Sequence, residues 1–453
     1  MASLARDGSG LPGLLVVGAR EVATLAGGPR MGAGQGDVGR IVAPDGGAED
    51  GPPDAAEPAV AAWDGRFVGL GPRRELEARL VADGYPLDRF AVLDAAQGTV
   101  TPGLVDPHTH LLFAGSRENE LELRQRGAAY LEILAAGGGI LSTVAATRAA
   151  TDDELMAHGR RWLGEMLTHG VTTVEAKSGY GLDVATELRL LAVARRLGSE
   201  GPIDVVPTWL GAHAVPPELR GAPDSTERYV DALLSEQLPA VAAQGIAVAA
   251  DVFCENGVFS AAQSRRILTA AAEAGLRPRL HADELAPSGG AELAAEIGAS
   301  SADHLATPSE AGIEAMAAAA ADGRPVVATL LPATTWFLMK DHHAPARAFI
   351  DRGVPVAIGT DFNPGTSPTP SLPLAMTAAC VNVRMTPDEV LAAVTINAAL
   401  ALGRAEDVGS IETGKRADLV IWNVPTSRQI PYWPAADLVR TVVKDGRIVL
   451  DRR

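Results

Sequence analysis

Eight short apolar runs punctuate the chain between residues 103 and 360: GLVDP (103–107), VTTVEA (171–176), IDVVPTW (203–209), VAADVF (248–253), RPRLH (277–281), SSAD (300–303), PVVATLL (325–331) and PVAIGT (355–360). Stretches rich in Ala, Leu, Glu and Arg separate them. Apolar β-branched runs alternating with helical stretches are the pattern of βα units around a parallel sheet. Eight such units close an α/β fold of the (β/α)8, TIM-like barrel type, whose active site lies at the C-terminal ends of the strands. The polar residues just past those ends are His108 and His110, Lys177 and Tyr180, His213, Cys254 and Glu255, His281 with Glu284, His304, Thr334 with Thr335, and Asp361 with Asn363. Five of the nine histidines are among them, a concentration on one face that chance does not favour.

Both chain ends have a different texture. Residues 14–25 and 60–70 read as short strands, as do the stretches DVGSIETGKRADLVIWNV and PAADLVRTVVKDGRIVLDRR after Ala401. Asp64-Gly65 and Asp445-Gly446 are two-residue hairpin turns. The ends therefore combine into a small β-sandwich, residues 1–102 supplying one part and 401–453 the other, beside a barrel spanning 103–400. Residues 26–58 are rich in Gly, Pro, Ala and Asp without periodicity. They are expected to form a flexible low-complexity insert whose removal leaves stability unchanged.

Lys plus Arg number 39 against 56 for Asp plus Glu, a formal charge of −17. Such a surface repels phosphate backbones and anionic membranes, so nucleic acid and lipid are excluded as partners, and an anionic small substrate needs a local cation. Two cysteines, Cys254 and Cys380, are too few for a disulfide framework and fit a reducing compartment. No apolar leader and no run of eighteen apolar residues is present, so a cytoplasmic location is expected.

In an extended segment residues i and i+2 share a face, so His108 and His110 present two imidazoles side by side. With His281 and Asp361 they make a set of three nitrogens and one oxygen, suited to zinc or iron. Water activated by such a metal loses its proton near neutral pH and becomes a nucleophile. Glu284, three residues beyond His281, is placed to carry protons to a leaving nitrogen, and His304 is a second acid/base or water-orienting candidate. Open alternatives are a core histidine for His281 or His304, a helix N-cap for Asp361 and an exposed helix-start residue for Glu284.

HTH after strand one, HADE after strand five, SADHL after strand six and GTDFNPGTSPTPS after strand eight resemble the amidohydrolase superfamily. Within it, HTHLLFAGSRENE, VEAKSGYGL, WLGAHAVP, DVFCENGVF and GTDFNPG resemble the imidazolonepropionase family of histidine degradation, over the chain from about Val60 onward. The resemblance implies hydrolysis of the ring amide of 4-imidazolone-5-propanoate to N-formimidoyl-L-glutamate. It implies His108, His110, His281 and Asp361 as ligands of one Zn2+ or Fe2+/Fe3+ per subunit, with Glu284, His304 and Asp361 as the catalytic groups. Arg117 would bind the propionate, for which a bidentate fork is suited. An ion pair with Glu118 or Glu120 is its alternative. Tyr180, His213 and Glu284 would contact the substrate, with Tyr130 assisting, although a Tyr at helical spacing also suits a core. Asn363, Gly365 and Thr366 would hold substrate or product, the alternative for Asn363 and Gly365 being a tight turn.

Many superfamily members bridge two metals with a lysine after strand four, where this chain reads DVFCEN. One metal is therefore expected, with Glu255 the only candidate bridge to a second. Rival readings are a deaminase of the guanine or cytosine type, against which Arg117 and KSGYGL argue, and a non-catalytic barrel scaffold, against which the full ligand set argues. A homodimer is the expected assembly.

Overall fold

The computed structural model describes residues 11–43, 56–127 and 138–452. Eight parallel strands form one sheet in sequential order: β1 Leu104–Asp106, β2 Val171–Lys177, β3 Asp204–Ala212, β4 Ala249–Cys254, β5 Arg277–Ala282, β6 Ser301–His304, β7 Val327–Leu330 and β8 Val356–Ile358. Each coincides with one of the apolar runs. Residues of β1, β2, β6, β7 and β8 are buried throughout, the mark of parallel strands covered on both faces. Helices cover the outer face, and local signals start several of them. Thr151 and Glu154 form a reciprocal capping box at Asp152–Thr168, and Ser260 with Gln263 does the same at Ala261–Glu273.

The barrel closes where the chain past β1 meets the chain past β8, beyond the ends of both strands, with Thr109 bridged to Phe362. The Asp361 N–H donates to His108 O (3.0 Å) and the His110 N–H to Phe362 O (2.9 Å). Below them, Asp106 accepts from the Thr360 N–H (3.1 Å) and hydroxyl (2.6 Å).

Both termini build the second layer. A four-stranded sheet contains Gly13–Val17, Pro58–Trp63, Arg66–Pro72 and Phe90–Asp94. A six-stranded sheet joins Glu21–Ala23, Arg40–Val42 and Thr99–Pro102 to Leu419–Trp422, Val439–Lys444 and Arg447–Asp451. Leu14, Val16, Val60 and Leu93 of the first pack with Val100, Leu419, Ile421 and Val443 of the second in a single apolar cluster. Residues 14–25 are thus divided between the two sheets, with Gly18 in the left-handed region (φ 68°) at the crossing. The Asp64-Gly65 and Asp445-Gly446 turns have positive φ at both positions, as two-residue hairpins need.

The expectation for residues 26–58 is corrected over 26–43. Gln35 and Val38 are buried, and Arg40–Val42 is a strand of the six-stranded sheet. Gln35 Nε2 donates to Val356 O (3.0 Å) at the start of β8. Asn397 Nδ2 donates to Arg30 O (2.7 Å) and Val356 O (2.9 Å), while its Oδ1 accepts from the Arg30 N–H (2.7 Å). The Arg30 guanidinium in turn donates to the carbonyls of Ala26, Gly28 and Asp37. The segment is docked by polar bonds to distant backbone, which an apolar pattern does not register. Asn397→Leu strands several buried donors and acceptors and is expected to destabilise the protein by about 2–4 kcal/mol, read by chaotrope unfolding. An unchanged midpoint would show that this docking contributes nothing.

Candidate metal centre and active site

The seam between β1 and β8 carries three of the expected ligands. His108 and His110 flank Thr109, whose hydroxyl donates to Glu175 O (2.5 Å). Asp361 Oδ1 lies 3.5 Å from both His108 Nε2 and His110 Nε2. His281, near the end of β5, brings its Nε2 to 3.3 Å from His110 Nε2. His108, His110 and His281 form one group of converging donors, and His108, His304 and Asp361 another, with the donor atoms of each within 4.8 Å of one another. All five residues are buried. Asp361 and His304 have positive φ (52° and 73°), sparsely populated backbone of the kind that gathers at functional sites. Asp361 caps no helix: the next helix, Leu372–Asn382, is capped by Ser371. Its Oδ2 instead accepts from Thr334 Oγ1 (2.7 Å), leaving Oδ1 toward the imidazoles.

The donor set fits a metal. His108 Nε2, which faces Asp361, is buried without a hydrogen-bond partner, which is costly unless something else meets it. Burial holds the His108 and His110 pKa values well below the usual histidine range, so both rings are neutral and carry the lone pair a metal needs. At His281 burial works in the same direction, but the carboxylate of Asp251 outweighs it and raises the pKa.

Beneath these donors the barrel interior holds three carboxylates and two cations, all fully buried. Asp303 Oδ2 is 2.6 Å from His108 Nδ1 and accepts from Arg279 Nη2 (3.1 Å). Asp251 Oδ2 is 3.0 Å from His281 Nδ1 and 2.6 Å from Lys177 Nζ. Glu175 joins the halves, 2.8 Å from Lys177 Nζ and 3.2 Å from Arg279 Nε. Burial alone would raise the pKa of both aspartates. His281 and Lys177 hold Asp251 well below its usual value, while Arg279 and Lys177 hold Asp303 below its own. Sequence reasoning missed Glu175, Asp251, Arg279 and Asp303. Their signal was charge inside otherwise apolar strands, with Glu175 and Lys177, and Arg279 and His281, spaced by two on one face. Lys177 lies within the barrel and not at its rim. Glu255 accepts from the Asn256 and Leu285 N–H groups (2.9 and 2.8 Å) and from the Ser288 hydroxyl, bracing the loop after β5.

Around the donors stand the other candidates. Glu284 Oε2 is 3.7 Å from His304 Nε2. The His213 ring stacks on His110 at 4.9 Å, and its Nδ1 lies 2.9 Å from Gly179 O, an acceptor that requires the proton on Nδ1. Burial, with His281 nearby, lowers its pKa to about 3. Tyr180 is buried 5.8 Å from the His110 ring and 5.3 Å from His213, and burial raises its pKa despite the charge of Arg117. Arg117 makes the ion pair with Glu120, Nε to Oε1 and Nη2 to Oε2 both 2.8 Å, but its side chain is only 9% exposed. A β-carbon on Gly365 would overlap its guanidinium, so Arg117 lies against the loop that carries Asp361.

Asn363 adopts the turn role. Its Nδ2 donates to Asp361 O and Thr366 Oγ1 (both 2.7 Å), and its Oδ1 accepts from the Gly365 and Thr366 N–H groups (2.8 and 2.7 Å). Tyr130 lies outside the described residues.

A parallel (β/α)8 barrel with histidine and aspartate donors gathered at its C-terminal rim defines the class: the chain belongs to the amidohydrolase family, whose model matches residues 99–449. The imidazolonepropionase of Geobacillus kaustophilus (strain HTA426) is 52% identical over 86% of this chain and 89% of its own. That of Alkaliphilus metalliredigens (strain QYMF) is 54% identical over 80% and 84%. Within the class, the chain is therefore a member of the imidazolonepropionase family. A zinc-bound adenosine deaminase from Xanthomonas campestris shares the fold at a TM-score of 0.65 and 21% identity, over 97% of this chain and 93% of that one.

Among the described residues the two donor groups share His108 and form one cluster, which leads to a stoichiometry. Purified protein should carry about one metal ion per chain, and His108→Ala should lose it, both read by elemental analysis. Two tightly held ions per chain would contradict a mononuclear site.

Proposed function

We propose that the chain hydrolyses the ring amide of 4-imidazolone-5-propanoate to N-formimidoyl-L-glutamate, a step of histidine degradation, using one zinc or iron ion held by His108, His110, His281 and Asp361. When bound, the ion supplies a hydroxide nucleophile near neutral pH by lowering the pKa of water. The oxygen of water adds to the ring carbonyl carbon, the C–N bond breaks, and the carbonyl becomes the new carboxylate. Glu284 takes the proton released from water and passes it to the departing ring nitrogen. His304, 3.7 Å from Glu284, orients that carboxylate and contacts the developing oxyanion. Among the described residues, no helix is long and apolar enough to cross a membrane.

The observation that carries the substrate assignment is the place of Arg117. A cation lies against Gly365 in the loop that carries Asp361, and its charge acts on Tyr180, whose ring is 5.8 Å from that of His110. It gives the propionate a partner, which a neutral purine or pyrimidine does not need. Glu120 holds the Nε edge of the guanidinium, so its plane is set before substrate arrives. Tyr180 and His213 flank the ring, while Thr366 and the backbone of Gly365 shape the end near Arg117. Asn363 contributes by holding that loop rather than by direct contact.

Steady-state assays of 4-imidazolone-5-propanoate consumption, with metal analysis of each variant, separate these roles. Arg117→Ala should mainly raise KM. Gly365→Ala, which pushes the guanidinium aside without removing its charge, should raise KM in the same direction. Glu284→Gln should lower kcat by roughly 10² to 10⁴ with metal content unchanged. A Glu284→Gln enzyme with near-normal kcat would move the proton transfer elsewhere, and unchanged KM in both other variants would remove Arg117 from the substrate site.

A further inference from the structure

We propose that Lys177 and Arg279 are positioning residues of the metal centre, each clamping the aspartate that fixes one ligand imidazole. The inference rests on the metal-centre reading above.

Each cation acts on its histidine by two routes. Arg279 donates through Nη2 to Asp303 Oδ2 (3.1 Å), and that oxygen is 2.6 Å from His108 Nδ1. The same Nη2 donates to Pro107 O (2.8 Å), the carbonyl just before His108, and Nη1 reaches Ala401 O (2.9 Å). Arg279 therefore holds both the backbone entering the ligand and the group that orients its ring. Lys177 does the same through Asp251. Its Nζ is 2.6 Å from Asp251 Oδ2, which is 3.0 Å from His281 Nδ1, while Asp251 Oδ1 accepts from the His281 N–H (3.1 Å). Glu175 bridges the two cations, and Lys177 Nζ is also 3.6 Å from Asp303 Oδ2, so four of the charges form a closed ring, with Asp251 attached to it through Lys177.

The chemistry of the contacts sets the tautomer. A carboxylate only accepts, so the proton of His108 sits on Nδ1 and its Nε2 lone pair faces the other donors, while the Asp251 carboxylate stands 3.0 Å from His281 Nδ1 as an ion-pair partner. In His108 that Nε2 is buried with no hydrogen-bond partner. Histidine ligands gain affinity when their second nitrogen is held in this way. A buried ion network of this size contributes little net stability, so its placement under two ligands calls for another role.

The test uses full-length protein freed of metal, titrated with zinc against a chromophoric chelator, together with 15N spectra of histidine-labelled protein. Arg279→Met and Lys177→Met each leave an aspartate without its cation. The double variant Lys177→Met with Asp251→Asn removes one charge of each sign and keeps the balance of the network. Folded variants should bind zinc about 10- to 100-fold more weakly, and the His108 or His281 nitrogen signals should lose the Nδ1–H pattern of the parent. Arg416→Met, which breaks an ion pair with Asp445 in the terminal sheets, should lower the unfolding midpoint without moving zinc affinity. Zinc affinity within twofold of the parent in the folded variants, or failure of all three to fold, would overturn the proposal in favour of a purely structural network. A parent protein that binds no zinc or iron would instead sink the metal-centre reading itself.

Discussion

Everything at the active site depends on closing the barrel between its first and last strands. An open parallel sheet leaves unpaired N–H and C=O groups along both edges, and closure removes them. Here the backbone bonds that close the seam lie past the strand ends and are made by residues of the donor cluster and its neighbour: Asp361 N–H to His108 O and His110 N–H to Phe362 O. The Thr360 hydroxyl on Asp106 ties together residues 254 apart in sequence. Closing the fold and gathering the donors are thus one event. A chain that failed to close would lose the Asp361 approach to His108 and His110 as well as the sheet.

The interior of the barrel uses its strands unevenly. Outward-facing residues such as Val174, Val252, Leu280 and Ala302 join the large apolar cluster with the surrounding helices. Inward-facing Glu175, Lys177, Asp251, Arg279 and Asp303 place charge where apolar filling would be cheaper. Each member has partners within ion-pair distance, which is the condition for burying charge at all. The result is a rigid floor beneath a polar site, so the imidazoles above it have little freedom to rotate.

Across the mouth, the residues proposed to suit a particular substrate come from loops, as expected where a rigid scaffold carries variable chemistry. The Asn363 side chain winds the loop after β8 so that Gly365 presents bare backbone to Arg117. Glu120 fixes Arg117 from the other side and also accepts from the Gly139 N–H (2.6 Å). A zinc-bound deaminase shares the scaffold at 21% identity, so the fold alone selects no substrate.

Much of this was legible in the chain because the relevant interactions are local. Eight apolar runs marked eight strands, His108-Thr109-His110 presented two rings on one face, and the two Asp-Gly pairs set their hairpins through positive φ alone. Histidines at strand ends pointed to the rim where the donors converge, because strand direction fixes which end of the barrel they share. Other features depended on partners far along the chain. Gln35 and Asn397 dock residues 26–43 by bonding to backbone carbonyls, which any sequence supplies and no pattern marks. Asn363 has the same composition whether it binds a ligand or its own turn, and only the finished loop shows the turn. The pairing of Asp303 with His108 and of Asp251 with His281 spans 195 and 30 residues. Strand periodicity told which side chains face inward; which of them meet was decided by the stagger of a closed barrel, a property of the whole sheet that no single strand contains.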